Sequence, residues 1–248
     1  MAPITQSGKR AIAGMTLGEH LVELRTRLMI SVGSVAVLAL LVGWLGYHEI
    51  LNILSEPYCK LSTAKNCSFL ATAPTDGLTL RIKIGFFGGL FMASPIIFYE
   101  AWRFIMPGLK KNEKKYVIPF VFASITFFSA GAVVAYFSFE HALRFLQSVG
   151  GSQIHADYQP NNYLSLILLM MLIFGLTFEF PVVLVSLQLV NVVTPRKLMR
   201  GWRYAIIAIV VLAGVFTPSG DPFSMMALAV PLIFFYFASA GVGKLLGK

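Results

Sequence analysis

Residues 28–47 read LMISVGSVAVLALLVGWLGY, a stretch of twenty residues without a charged side chain. As an α-helix, a stretch of this length crosses a hydrocarbon core about 30 Å thick. Comparable uncharged segments occupy 116–139 and 223–243, and a fourth at 163–189 contains one charge, Glu179. These segments predict an integral membrane protein whose main solvent is lipid.

Two further segments are less regular. The segment 79–102 contains three charged side chains, and it spans the membrane if they reach the interfaces. The segment 204–216 covers only about 20 Å as a helix, so it requires a thinned bilayer or flanking residues. With both included, the sequence predicts an all-α polytopic membrane protein with six transmembrane helices. A tail over 1–15 precedes a single six-span membrane domain over 16–248.

Composition and charge support this class and give its orientation. Of the residues, 57% are hydrophobic and 12% charged, with a mean hydropathy of +0.75, whereas soluble domains keep about a quarter charged. Most Lys and Arg residues, 15 of 20, lie in four alternate segments, 1–27, 102–115, 191–203 and 243–248. The positive-inside rule places these segments, and both termini, in the cytoplasm. This asymmetry explains most of the net charge of +9, so no nucleic-acid partner is predicted.

The segment before the first span is predicted to form an amphipathic helix at the cytoplasmic interface. Thr16 and Glu19 have the spacing of a capping box, which satisfies free amide groups at a helix start. Leucines then recur on one helical face, at Leu17, Leu21, Leu24 and Leu28. Glu23 lies one turn before Arg27, so a simple intrahelical ion pair between them is the plainer alternative to a binding role.

Two acids have unusual surroundings. Glu179 lies within a nearly apolar span, where a carboxylate costs a few kcal/mol unless it is paired, hydrated or protonated. We therefore expect a functional role for it. Glu113 lies among four lysines in the loop 102–115. It is either a ligand for a cation or a single acid that softens the self-repulsion of a topology signal.

The remaining chemistry is sparse. Cys59 and Cys67 share the predicted outer loop 48–77, and an oxidising compartment would join them in a disulfide, while two reduced thiols are the alternative.

The sequence contains no phosphate-binding glycine loop and no nucleophile elbow, and its four histidines lie outside the spans. We therefore predict no enzyme, no cofactor and no metal site.

Four motifs in order resemble the TatC family, the multi-spanning subunit of the twin-arginine protein translocase. They are EHLVELRTRL at 19–28, FIMPGL at 104–109 followed by Glu113, FGLTFEFP at 174–181, and FTP at 216–218 followed by Asp221. The resemblance implies a core subunit in the cytoplasmic (inner) membrane of a prokaryote, which receives the paired-arginine signal peptides of folded proteins. It also implies self-association, single-span partners of the TatA and TatB type, and export driven by the proton-motive force.

The resemblance implies two signal-binding acids, Glu23 and Glu113. Arginine guanidinium binds a carboxylate through two parallel hydrogen bonds, a geometry that lysine cannot copy, so such acids favour arginines. Arg25 is expected to position Glu23, while Leu21 and Phe104 are expected to contact the apolar stretch of the signal peptide.

Other family positions lie within the membrane and at the outer face. The resemblance implies that Glu179 and Thr217 contact a partner helix, and that Pro57, Asp76 and Asp221 are functionally sensitive. The family usually has glutamate at the position of Asp76. The competing prediction is an ion-coupled secondary transporter that uses Glu179, but such proteins usually show paired repeats, and this sequence has none.

Overall fold

The computed structural model describes residues 17–60, 73–105, 117–150 and 159–245, and every regular element in these ranges is helical. One π-helical turn, Val42–Gly46, joins the first two α-helices. The α-helices are α1 Leu17–Leu41, α2 Tyr47–Cys59, α3 Asp76–Ile105, α4 Val117–Gly150, α5 Pro160–Phe178, α6 Phe180–Leu189, α7 Pro195–Arg200, α8 Trp202–Phe216 and α9 Pro222–Leu245.

The first span is longer than the sequence predicted. Helix α1 runs from the amphipathic segment into the apolar stretch without a break, and α2 continues it beyond the π-helical turn. Residues 48–59 were predicted to lie in an outer loop, and that prediction is wrong. The segment stays helical because it buries one side, at Leu54, Pro57 and Tyr58, against the rest of the molecule.

Helices α4 and α5 form the centre of the bundle. Their largest buried side chains include Phe139, Phe174 and Phe178. A side chain at Gly131 would place its Cβ 2.5 Å from the carbonyl oxygen of Phe174, so this glycine permits close backbone approach. Helix α4 extends past the predicted end at 139 because residues such as Leu143 remain buried in its last turns.

The fourth span is two helices rather than one. Helix α5 ends at Phe178, α6 begins at Phe180, and Glu179 lies between them. Pro181 occupies the first turn of α6, where its missing N–H is tolerated. The break therefore places the Glu179 side chain at an interruption of the backbone ladder in the middle of a span.

Helix α8 is the short fifth span. Its 15 residues cover about 22 Å, less than the roughly 30 Å hydrocarbon core. Only Ile209 and Ala213 are buried, while other side chains such as Tyr204 are up to 81% exposed. Five helical stretches of the described chain are long and apolar enough to cross a membrane, and α8 is a shorter apolar helix. The predicted six-span all-α class is confirmed.

Candidate functional site

An ion-pair network joins α1 to α3 at their cytoplasmic ends. The Arg27 guanidinium donates to Oε1 of Glu23, from Nε at 3.0 Å and also from Nη2. Its third nitrogen, Nη1, donates to Oε2 of Glu100 at 3.0 Å. The side chains of Arg27 and Glu100 are only 14% and 9% exposed. Together the two carboxylates and one guanidinium carry a net charge of −1.

A stacked ring pair lies beside this network. The imidazole of His20 stacks on the ring of Phe104, with centroids 4.2 Å apart and planes inclined by 14°. Nδ1 of His20 is 3.8 Å from Oε2 of Glu23, too far for a hydrogen bond. We refer to His20, Glu23, Arg27, Glu100 and Phe104 as the inner cluster.

The second oxygen of Glu23 is not used by the described chain. Oε2 is buried, and within residues 17–60, 73–105, 117–150 and 159–245 it has no hydrogen-bond partner. Buried acceptors are satisfied in most proteins because leaving one unsatisfied costs about 1–3 kcal/mol. The inner cluster therefore retains unused acceptor capacity.

Apolar side chains of α1 near Glu23 are exposed. Leu21 is 64% exposed and Leu24 is 41% exposed, so both are available for apolar contact. Arg25 is exposed, and Arg27 donates to Glu23, so the expected positioning role of Arg25 stays a prediction. Glu113 lies outside the described residues, and its role stays a prediction.

Glu179 lines a cavity of about 370 Å³ formed by side chains of α5, α6, α8 and α9. Apart from Glu179 and Thr177, the side chains that line this cavity are apolar. Oε1 of Glu179 is buried and has no hydrogen-bond partner in the part of the chain that the structure describes. Among the side chains that line this cavity, Glu179 is the one that can ionise.

A second polar contact reaches Glu179 from α4. The hydroxyl of Ser124 interacts with the Glu179 carboxylate, and it accepts a hydrogen bond from Nε1 of Trp102 at 3.0 Å. Both Trp102 and Ser124 are buried. This contact holds the Glu179 carboxylate against α4.

Thr217 ends α8 and is buried. Its hydroxyl donates to the carbonyl of Ala213 at 2.6 Å, so its polar hydrogen is used within its own helix. Its predicted contact with a partner helix stays a prediction.

Pro57 creates a specific hydrogen-bond requirement in α2. Because proline has no N–H, the carbonyl of Ile53, four residues earlier, loses its usual helical donor. The hydroxyl of Tyr136 on α4 donates to that carbonyl at 2.9 Å. The hydroxyl of Tyr163 on α5 donates to the carbonyl of Leu54 at 2.8 Å. Two tyrosines therefore attach α2 to the central helices.

The two predicted outer acids have their oxygens engaged within the chain. Asp76 accepts from the amide of Ala73 at 2.9 Å and from Nδ2 of Asn161 at 2.6 Å. Asp221 is only 1% exposed, and it accepts from the amide of Ser224 at 2.7 Å and from the hydroxyl of Ser219. Asp221 thereby caps the start of α9.

The cysteine prediction involves a residue outside the described ranges. Cys59 ends α2, whereas Cys67 lies outside the described residues, so the disulfide between them stays a prediction. The described residues contain no group of three or more His, Cys, Asp or Glu side chains that could hold a metal ion.

The sequence analysis missed Glu100 and the two tyrosines. Glu100 was assigned to the membrane interface because it lies at the end of an apolar segment. The only local signal was that an acid in such a segment needs a partner. Tyr136 and Tyr163 carry no local signal, since their partners lie far away in the chain.

Comparison with known proteins gives a consistent result. Residues 19–231 match the family model described as Sec-independent protein translocase protein (TatC). A protein of that name from Frankia casuarinae is 36% identical over 242 residues, which cover 93% of this chain and 66% of the relative. One from Xylanimonas cellulosilytica is 36% identical over 232 residues, with 92% and 83% covered. The chain spans just under two thirds of the Frankia relative and more of the second.

The fold agrees with a solved structure. A crystal structure described as the twin-arginine translocase receptor TatC matches with a TM-score of 0.75 and 34% identity, covering 93% of this chain and 100% of that chain. Both relatives are named as protein translocase proteins, and these names describe no enzymatic activity. The predicted secondary transporter is wrong, since family, fold and relatives agree on a translocase protein. The chain is a multi-pass protein of the cytoplasmic membrane of a prokaryote, and it belongs to the TatC family of Sec-independent protein translocase proteins.

Proposed function

We propose that this chain is the receptor subunit of a twin-arginine translocase, and that the inner cluster together with Glu113 binds the paired arginines of a signal peptide. The observation that supports this proposal most strongly is the unused Oε2 of Glu23. A guanidinium donor would satisfy that oxygen through a charge-assisted hydrogen bond, which is about twice as strong as a neutral one.

The surroundings of Glu23 suit an arginine followed by an apolar segment. The exposed leucines on α1, Leu21 and Leu24, provide apolar surface within two turns of the carboxylate. The basic cytoplasmic segments repel a basic peptide at long range. Recognition must therefore come from short-range contacts, such as a hydrogen bond to the buried Oε2 of Glu23.

The test is cross-linking of a twin-arginine signal peptide to the full-length protein in membranes. We expect Glu23→Gln and Glu113→Gln each to reduce cross-linking about tenfold, the equivalent of 1.4 kcal/mol. Glu49→Gln is the matched control, because Glu49 is an exposed acid at the start of α2. Undiminished cross-linking in both test variants would rule out this site.

A second proposal concerns Glu179, which we assign to the docking of a single-span partner of the TatA or TatB type. The cavity beside Glu179 is apolar apart from that carboxylate and Thr177, and the short helix α8 forms one of its walls. A hydrogen bond from a polar side chain on a partner helix would satisfy Oε1 where no water is available. The exposed apolar face of α8 offers further surface for a partner or for self-association.

Co-purification with single-span partners tests this second proposal. We expect Glu179→Gln to reduce recovered partner about fivefold, roughly 1 kcal/mol, which lies in the range for hydrogen bonds between membrane helices. Signal-peptide cross-linking should change less than twofold. Ser186→Ala in α6 serves as the control. Equal loss of both activities would instead indicate misfolding.

A further inference from the structure

We propose that Arg27 and Glu100 are positioning residues of the signal-peptide site, which together keep one oxygen of Glu23 available for an arginine of the ligand. The proposal rests on the proposed function, because it assigns two more residues to the same site. It explains why an acid intended for an incoming arginine already contacts an arginine of its own chain.

The hydrogen bonds of Arg27 are arranged unusually. A guanidinium commonly spreads two N–H groups over the two oxygens of a carboxylate. Here Nε and Nη2 both donate to Oε1 of Glu23, and Oε2 receives no hydrogen bond from the described residues. An ionised carboxylate has about four acceptor positions. Glu23 can therefore bind a second guanidinium while Arg27 remains in place.

Glu100 accounts for this arrangement. Nη1 of Arg27 donates to Glu100 across the α1–α3 contact, which fixes the plane of the guanidinium. Without the Glu100 charge, Arg27 would be free to turn and to bind both oxygens of Glu23 as a fork. The site would then be closed by its own arginine. Glu100 thus acts on the ligand through Arg27 rather than by touching it.

The charges of the cluster lead to the same conclusion. Glu23, Arg27 and Glu100 sum to −1, so one added guanidinium neutralises them. In Glu100→Gln the remaining pair is already neutral, so an added guanidinium loses one compensating negative charge. Arg103, whose charge also acts on Glu23, adds to the repulsion of a second cation. Nδ1 of His20 lies 3.8 Å from Oε2, and the imidazole stacks on Phe104, so an aromatic pair on which a planar guanidinium can stack lies beside the carboxylate.

The proposal predicts a loss of discrimination as well as of affinity. A lysine ammonium is a point charge that does not require a fork of two acceptors, so the orientation of Glu23 affects it less. A weaker contact between Arg27 and Glu23 should consequently reduce binding of a signal peptide with arginines more than binding of one with lysines. A purely structural role for Glu100 would reduce both alike.

The experiment measures dissociation constants of two signal peptides for the full-length protein in lipid nanodiscs. One peptide carries paired arginines and the other paired lysines at the same positions. We expect Glu100→Gln to weaken the arginine peptide about tenfold and to lower the preference for arginine over lysine severalfold. Arg27→Lys should also lower that preference, because lysine cannot hold Glu23 and Glu100 in one plane. Glu140→Gln, an outer acid paired with Arg144, is the matched control and should change neither value.

The possible results separate this inference from the proposed function. Unchanged binding and preference in Glu100→Gln, with binding lost in Glu23→Gln, would overturn the inference alone. Equal losses for both peptides would also overturn it, since Glu100 would then only support the fold. Unchanged binding in Glu23→Gln would overturn this inference, and unchanged binding in Glu113→Gln as well would overturn the proposed function with it. If Glu100→Gln does not fold, the arginine preference of Arg27→Lys decides, and an unchanged preference contradicts the proposal.

Discussion

The acids at the two ends of the molecule differ in how completely their own chain satisfies them. At the outer end, Asp221 uses both carboxylate oxygens within the turn that precedes α9. Asp76 likewise accepts from the chain through both oxygens. At the inner end, Oε2 of Glu23 receives no hydrogen bond from the described residues. Both oxygens of each outer acid accept hydrogen bonds, whereas one oxygen of the inner acid accepts none from the described residues.

This difference separates two kinds of sensitivity to mutation. A carboxylate whose two oxygens are both hydrogen-bonded stabilises the fold, and its removal leaves the surrounding donors unsatisfied. A buried carboxylate with one unsatisfied oxygen costs free energy until a ligand supplies the missing hydrogen-bond donor. Glu179 resembles Glu23 in this respect, because its Oε1 also lacks a partner among the described residues. We therefore expect outer substitutions to reduce stability and inner or intramembrane ones to reduce binding.

The largest expected effect on stability follows from Asp221→Ala. The change removes the cap of α9 and the acceptor of Ser219, which should lower the free energy of unfolding by about 2 kcal/mol. Thermal unfolding in detergent, followed by circular dichroism, measures this loss. Signal-peptide binding by the folded fraction should be unchanged. A binding defect at unchanged melting temperature would contradict the structural role of Asp221.

A smaller effect is expected from Tyr136→Phe. The variant keeps the ring but removes the hydroxyl that donates to the Ile53 carbonyl, which Pro57 leaves without its helical donor. We expect a loss of about 1 kcal/mol in the same unfolding assay. Tyr204→Phe is the control because Tyr204 is 81% exposed on α8. Equal melting temperatures for the two variants would show that α2 does not need this hydrogen bond.

The smallest effect is expected from Asp76→Glu, which lengthens the side chain by one methylene. The charge is kept and only the reach of the carboxylate toward Ala73 and Asn161 changes. The unfolding free energy should shift by about 0.5 kcal/mol or less, as for mild substitutions. A shift as large as that of Asp221→Ala would mean that the geometry at Asp76 is as demanding as that of the cap.

The sequence predicted the spans well because an apolar stretch of twenty residues has few other solutions. It was less reliable where tertiary contacts decide the structure. The segment 48–59 is polar enough to resemble a loop, yet it is helical because one side packs on the bundle. The break at Glu179 had a local signal in Pro181, but the sequence did not show that the helix would divide there.

The inner cluster was predictable only in part. Glu23 and Phe104 were expected from motifs within short segments, and the structure brings Phe104 to His20, three residues before Glu23. The contact between Arg27 and Glu100 joins residues 73 positions apart, so no local pattern could indicate it. The tyrosines that donate to backbone carbonyls of α2 were missed for the same reason, since they lie on other helices.

We propose that a buried acid with an unsatisfied oxygen belongs to the receptor site, whereas an acid whose oxygens are both satisfied stabilises the fold. The most direct test compares Glu23→Gln and Asp221→Asn in one preparation, measuring both paired-arginine peptide binding and melting temperature. We predict that Glu23→Gln loses binding about tenfold with little change in melting temperature, whereas Asp221→Asn melts lower and binds normally once folded. Loss of peptide binding in folded Asp221→Asn, or normal binding in Glu23→Gln, would contradict the account.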